Sequence, residues 1–193
     1  MLIAYIHGYL SGSNAIKAQI LKRILAENYQ EHKFISLDFP DTPKEALKKL
    51  CDFCQNYSYD QLALVGSSMG GFMATILSNL YNLKVALVNP CVHPQNFCKE
   101  LLGPQYNSCT DTHFILTQDM IDYLQQLDIE AQIKFNPQNI YVLLQKGDEV
   151  LDYKQALSYY QNAKIDVFAG GCHAFENFEA VVPQIMDFLT KDA

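Results

Sequence analysis

Six short apolar runs, at residues 2–6, 33–38, 62–66, 84–89, 140–145 and 164–169, recur along the 193-residue chain, separated by stretches with helical spacing. That alternation constrains the fold more than any other feature. Runs that are apolar at nearly every position predict strands buried on both faces. The helices between them predict crossovers, and hence a parallel sheet covered on both sides. The fold class expected is therefore a compact, doubly wound α/β domain with a mainly parallel sheet. Residues 14–27 place Ile16, Ile20, Ile24, Leu21 and Leu25 on one helical face behind candidate caps at Ser11 or Ser13. A second helix opens with Thr42, Pro43 and Glu45, a capping-box pattern, and carries Leu47, Leu50, Cys51 and Cys54 inward. Residues 71–81 are apolar almost all round, as a central helix should be. A last helix over residues 178–190 contains Pro183, which predicts a separate first turn and a regular helix from about Val182.

The length suits one domain, residues 1–193, with a sizeable core. Within it, residues 91–137 interrupt the alternation. They hold Cys91, His93, Pro94, a helix ending before Gly103 and a second helix from about Thr117 to Leu127, and they are expected to form a small cap or insertion over the sheet edge. A net charge of -7, with no Lys/Arg cluster, excludes a nucleic-acid surface; Lys17, Lys22 and Arg23 suit the solvated face of a helix. MLIAYIHGYL lacks a basic region and a small-residue cleavage site, so it is expected to be the first strand and not a secretory signal. No apolar run is long enough to cross a bilayer, and a soluble, cytoplasmic protein is expected. Six cysteines in such a chain read as free thiols. Cys51 and Cys54 form CxxC late in a helix on the Leu47 and Leu50 stripe, a core position and not the helix start that activates a redox thiol. No metal or cofactor is expected.

The run LALVGSSMGG at residues 62–71 breaks from strand into GxSxG and continues as the helix-like FMATILSNLY. A serine on a sharp strand-to-helix turn is exposed at the top of a sheet, and Gly66 and Gly70, two positions to each side of Ser68, remove side chains that would collide there. Ser68, midway between them, is the candidate nucleophile. A serine hydroxyl needs a base, and the base needs a third group to hold its tautomer. In a doubly wound sheet the acid should follow a late strand and the histidine the last one. After IYVLLQ comes KGDEVLDY, with Asp148 the preferred acid, Glu149 its alternative and Asp152 a helix N-cap. After KIDVFAG comes GCHAFENF, with His173 the base and Cys172 a small filler. His32, His93 and His113 are expected to be ordinary surface or loop histidines. For a developing oxyanion the backbone N–H of Met69, just after the serine, is one candidate donor. Tyr9 in HGYLSGS, behind His7 and Gly8, is the other, with Leu10 next.

Together HGYLSGSNAIKAQ, GSSMGGF, LVNP, QKGDEVLDY and GGCHAFENFE resemble, in order, the segments of the α/β-hydrolase superfamily and within it the YqiA-like family of small bacterial esterases. The resemblance implies an α/β-hydrolase fold that begins at the strand bearing the HG turn. It implies Ser68, Asp148 and His173 as nucleophile, acid and base, and hydrolysis of small-molecule carboxylic esters or acyl thioesters. Residues 91–137 depart from those segments and leave substrate specificity open. Leu10, Phe72 and residues of that segment are expected to wall the substrate site. Peptidase and lactonase chemistry share the same residues, and a catalytically silent binding protein on the same scaffold is the alternative of another class. Oligomeric state is not legible in the sequence.

Overall fold

The computed structural model describes residues 1–191. In chain order the elements are β1 (Leu2–Ile6), α1 (Ile16–Asn28), β2 (Lys33–Ser36), α2 (Pro43–Cys54), β3 (Leu62–Ser67), α3 (Met69–Tyr81), β4 (Val85–Val88), α4 (Pro94–Lys99), β5 (Gly103–Asn107), β6 (Thr112–Leu116), α5 (Gln118–Lys134), β7 (Ile140–Gln145), α6 (Tyr153–Tyr159), β8 (Lys164–Phe168) and α7 (Phe178–Thr190). Six strands form one sheet in the order β2-β1-β3-β4-β7-β8, every neighbouring pair parallel. Successive side chains of the central strands enter opposite layers, which explains the unbroken apolar runs. Ile3, Tyr5, Ala63 and Val65 pack with Leu21 and Leu25 of α1 and with Val182, Ile185, Met186 and Leu189 of α7. Ala4, Ile6, Leu62 and Leu64 pack with α2, α3 and α5 on the other face. Each fully buried Val, Leu, Ile or Met among these contributes roughly 1.5–3 kcal/mol, so α7 is held chiefly by its apolar stripe.

The chain leaves β1 toward β2 on one side and then crosses to β3 on the other. The winding direction therefore reverses between β1 and β3. The turns that follow these two strands open side by side at that switch, where α/β sheets form ligand crevices. The register Ile6 to Gly66 and Ser67 to Val88 brings the carboxyl ends of β1, β3 and β4 level, and Gln145 to Phe168 does the same for β7 and β8.

Several local expectations are corrected. Helix α1 starts at Ile16 with Ala15 at its N-cap, and neither Ser11 nor Ser13 caps it. Ser13 instead bonds Asp38 through both its amide and its hydroxyl. Ile16, placed on the buried face by spacing, is 77% exposed, because the helix begins there at the rim of the sheet. Thr42 bonds the Glu45 side chain without capping a backbone N–H, although Pro43 does occupy the first helical position. Helix α5 runs on to Lys134, and residues 103–116 form an antiparallel hairpin, β5 with β6, that periodicity missed. Gly103 and Pro104 disguise that strand; a proline is tolerated there because a two-stranded ribbon is all edge. Helix α7 is continuous through Pro183. Pro183 lies on the exposed side, as does Glu179, the residue whose carbonyl its ring deprives of a bond. Cys54 is buried and Cys51 partly so, and burial pushes the Cys54 thiol up to about 12, in keeping with a core role for CxxC.

Candidate active site

Ser68 sits between β3 and α3 with φ 54° and ψ -124°, a conformation that costs a non-glycine residue of the order of 1–3 kcal/mol unless its surroundings hold it. Those surroundings are explicit. The Ser68 amide donates to the Val88 carbonyl (3.2 Å), and its carbonyl accepts from the amides of Gly71 (2.9 Å) and Cys91 (2.9 Å). A Cβ on Gly66 would lie 2.5 Å from the Gly70 carbonyl oxygen, and one on Gly70 would collide with the carbonyl oxygens of Ile6 and His7. The two glycines therefore let the elbow press against the end of β1.

The turn after β7 and the loop after β8 meet at this elbow. His173 Nδ1 lies 2.8 Å from Asp148 Oδ2 and 3.0 Å from Oδ1, and its Nε2 lies 3.1 Å from Ser68 Oγ. With a carboxylate on Nδ1, that nitrogen carries the proton and Nε2 is left to accept the serine hydroxyl's. The Asp148 side chain is 2% exposed and that of His173 22%. Asp148 Oδ1 also accepts from the amides of Val150 (2.9 Å) and Leu151 (2.8 Å), which fixes the carboxylate before the imidazole arrives. Of the two acids left open by the sequence, Asp148 meets the imidazole. Glu149 Oε2 accepts instead from the His173 backbone amide (2.9 Å). Asp152 caps α6 through the Lys154 amide (3.0 Å), as expected.

Two residues that sequence reasoning passed over organise the histidine loop. Asn89 donates to the carbonyls of Cys172 (3.0 Å) and His173 (3.3 Å) and accepts from the Gln145 amide (2.9 Å). Gln145 Oε1 accepts from the amides of Cys172 (3.0 Å) and Glu176 (2.9 Å). Both are buried polar side chains at strand carboxyl ends, and that was their signal: LVNP and LLQK each close an apolar strand on an amide.

The turn after β1 lies against the serine, where a Cβ on Gly8 would come 3.1 Å from Ser68 Cβ. Among the described residues, the backbone N–H groups of Tyr9 and Met69 donate to no protein acceptor. The Tyr9 ring is docked on residues of the 91–137 segment: its phenol donates to Gln105 Oε1 (3.1 Å) and it packs edge-on to Phe97 and Phe114. Burial, with lesser effects of Cys98 and Asp41, raises its phenol above the ordinary range, so it stays a donor. A cleft of about 950 Å³ opens over Ser68 and His173, with Ser13, Lys17, Asp38 and Thr110 among its walls. A smaller recess of about 30 Å³ lies beyond Tyr9 and Met69, lined by Leu10, Phe39, Met73, Leu116 and Leu124. Leu10 thus lines a recess beside the serine, but Phe72, expected as a wall, has no exposure and packs in the core, because the fourth residue of α3 faces inward.

His32, His93 and His113 bond or stack with residues other than Ser68. His113 stacks on Tyr106, and His32 lies beside Glu31. His93 is not the ordinary loop residue expected: it pairs with buried Asp128 at 2.8 Å. No group of three or more His, Cys, Asp and Glu side chains among the described residues could hold a metal ion, and no described helix is long and apolar enough to cross a membrane.

The parallel six-stranded sheet, flanked by helices and carrying a serine elbow, is that of the α/β-hydrolases. Mouse alpha/beta hydrolase domain-containing protein 10 superimposes with a TM-score of 0.73 over 96% of this chain and 88% of its own, at 16% identity. Est1E from Butyrivibrio proteoclasticus gives 0.73 over 98% and 88%, at 15% identity. Paleococcus ferrophilus monoacylglycerol lipase gives 0.72 over 100% and 95%, at 13% identity. The chain belongs to the YqiA-like Uncharacterised protein family (UPF0227), which it matches over residues 1–190, the segment 91–137 included. A UPF0227 protein of Pectobacterium carotovorum subsp. carotovorum (strain PC1) is 22% identical over 194 residues, spanning 98% of this chain and 99% of the relative.

Proposed function

We propose that the protein is a serine hydrolase that cleaves small-molecule carboxylic esters or acyl thioesters through an acyl-enzyme on Ser68. The observation that carries this reading is the unbroken relay Ser68 Oγ, His173 Nε2, His173 Nδ1 and Asp148, with steps of 3.1 and 2.8 Å, on a strained elbow at the sheet's switch point. His173 Nε2 takes the hydroxyl proton as Oγ attacks the acyl carbon. The oxyanion that forms is held by the N–H groups of Tyr9 and Met69, which no protein acceptor occupies; a donor of that kind is worth about 3 kcal/mol in the transition state. The imidazolium returns the proton to the departing alcohol or thiol. Water, deprotonated by the same nitrogen, then releases the acid and restores Ser68. Asp148 holds the ring's tautomer and its developing charge.

The wide cleft suits the body of the substrate, while the recess behind Tyr9 and Met69 has room for little more than a methyl-sized group. Residues 91–137 act as a cap within a single domain. Leu116 of β6 and Leu124 of α5 close the recess from that cap. Six free thiols suit a cytoplasmic enzyme. The structural relatives support this reading at the level of fold, and one of them carries the name of a monoacylglycerol lipase. Steady-state hydrolysis of p-nitrophenyl esters and acyl thioesters of graded chain length tests it. Ser68→Ala should lower kcat by about a million-fold, as loss of a triad nucleophile does elsewhere. Near-normal turnover by that variant would overturn Ser68 as the nucleophile, and inertness of the unsubstituted protein toward the whole series would favour a silent binding scaffold.

A further inference from the structure

The loop that carries His173 is unusual in its backbone: Gly170, Gly171, Phe175 and Asn177 all have positive φ. Such a loop keeps its shape only if its peptides are held. Asn89, Gln145 and Glu149 hold those of Cys172 and His173. The next carbonyl, that of Ala174, accepts from Lys17 Nζ at 2.9 Å. Lys17 lies in the first turn of α1 and lines the same cleft as Ser68 and His173. It is partly buried, whereas Lys22 and Arg23 of the same helix extend into solvent. Burial pulls its ammonium below the ordinary lysine range, and Cys172 and Asp148 offset part of that effect. A side chain that gives up hydration to grip one carbonyl beside an imidazole has a local task.

We propose that Lys17 is a positioning residue for His173 in the hydrolysis described above, an inference that rests on that reading. The ammonium fixes the Ala174 peptide and so the imidazole's reach to Ser68. From the turn after β7 the ring faces Asp148, with Glu149 on its backbone amide, so Lys17 adds from α1 the contact that holds the far side of the histidine loop.

The test compares Lys17→Met and Lys17→Arg with the unsubstituted protein, using p-nitrophenyl acetate from pH 5 to 8.5, with thermal unfolding run alongside. Lys17→Met should lower the plateau kcat about tenfold, as small displacements of a reacting group do, with KM little changed. Lys17→Arg, which keeps a donor within reach of the Ala174 carbonyl, should restore kcat. An unchanged kcat in Lys17→Met, a loss confined to KM, or an arginine variant as impaired as the methionine one would each overturn the proposal. If the unsubstituted protein neither turns over the ester nor reacts at Ser68 with a fluorophosphonate, the underlying hydrolase reading fails as well. If it does both and Lys17→Met matches it, only the role of Lys17 fails.

Discussion

The molecule contains two His-Asp pairs that are nearly superimposable in their local measures. His173 with Asp148 and His93 with Asp128 are each separated by 2.8 Å, and each carboxylate is 2% exposed. What surrounds them differs. Asp148 takes its other bonds from the backbone amides of its own turn, and beyond His173 stands the Ser68 hydroxyl. Asp128 takes its other bonds from side chains, Gln95 Nε2 at 2.9 Å and the Tyr159 hydroxyl at 3.1 Å, and His93 Nε2 bonds to no hydroxyl among the described residues. The second pair ties α4, α5 and α6 to one another. An imidazole backed by a buried carboxylate is thus a common way to satisfy a partly buried histidine. Reactivity comes from placing that pair over a strained serine where the carboxyl ends of β3, β7 and β8 converge.

Substitutions at equivalent atoms of the two pairs should separate these roles. The largest contrast is expected at the rings. His173→Gln should cost ester hydrolysis about a million-fold in kcat, as losing the base of a triad does, while His93→Gln should leave kcat within about threefold and act on folding instead. Comparable losses in both variants would erase the distinction. At the carboxylates, Asp148→Asn should lower kcat by about ten-thousandfold through the wrong tautomer. Asp128→Ala should leave catalysis nearly intact but destabilise by about 1–3 kcal/mol in urea unfolding, because the Gln95 amide and the Tyr159 hydroxyl lose their acceptor. A third substitution sharpens the contrast by moving a pair without touching it. Asn89→Ala frees the Cys172 and His173 carbonyls, and kcat should fall by about 10–100-fold, the cost of an ångström of misplacement, with both carboxylates still in place.

The smallest effect concerns His7, a buried histidine that hydrogen-bonds to no carboxylate among the described residues. It stacks on Phe39 at 4.1 Å, its Nδ1 lies 3.0 Å from the Gly8 carbonyl, and its Nε2 has no partner among the described residues. Burial disfavours the imidazolium and lowers His7 below the ordinary value of 6.5, more than the Gly8 bond, Asp38 and Asp41 raise it. The unfolded chain then binds more protons in the interval between the two values, so the stability His7 contributes is present at neutral pH and is lost as pH falls through about 6.5. The midpoint of thermal unfolding should fall less between pH 7 and 5 in His7→Gln than in the unsubstituted protein. Equal falls would mean that His7 is protonated as readily in the folded chain.

The contrast between the pairs also marks what the sequence could carry. The elbow, the acid turn and the histidine loop were legible because each follows an apolar strand, and a strand followed by GxSxG, KGDE or GGCH fixes both place and order. The reversal of winding between β1 and β3, which opens the cleft, follows from pairing that no single segment records. Asn89 and Gln145 were passed over because an amide at the end of a strand has no distinctive spacing, and its importance lies in peptides from distant loops. His93 was misjudged for the same reason, since Asp128 is 35 residues away. The β5 and β6 hairpin was hidden by Gly103 and Pro104, and Phe72 was misplaced because α3 is apolar all round, so its sequence does not say which side faces the site.

The measurement closest to the central claim is the rate at which a fluorophosphonate modifies Ser68, followed by intact-mass and peptide analysis in the unsubstituted protein, His173→Gln and His93→Gln. A single adduct is expected on Ser68, forming as fast in His93→Gln as in the unsubstituted protein and lost in His173→Gln. An adduct that forms equally in His173→Gln, or none on Ser68 in the folded protein, would contradict it.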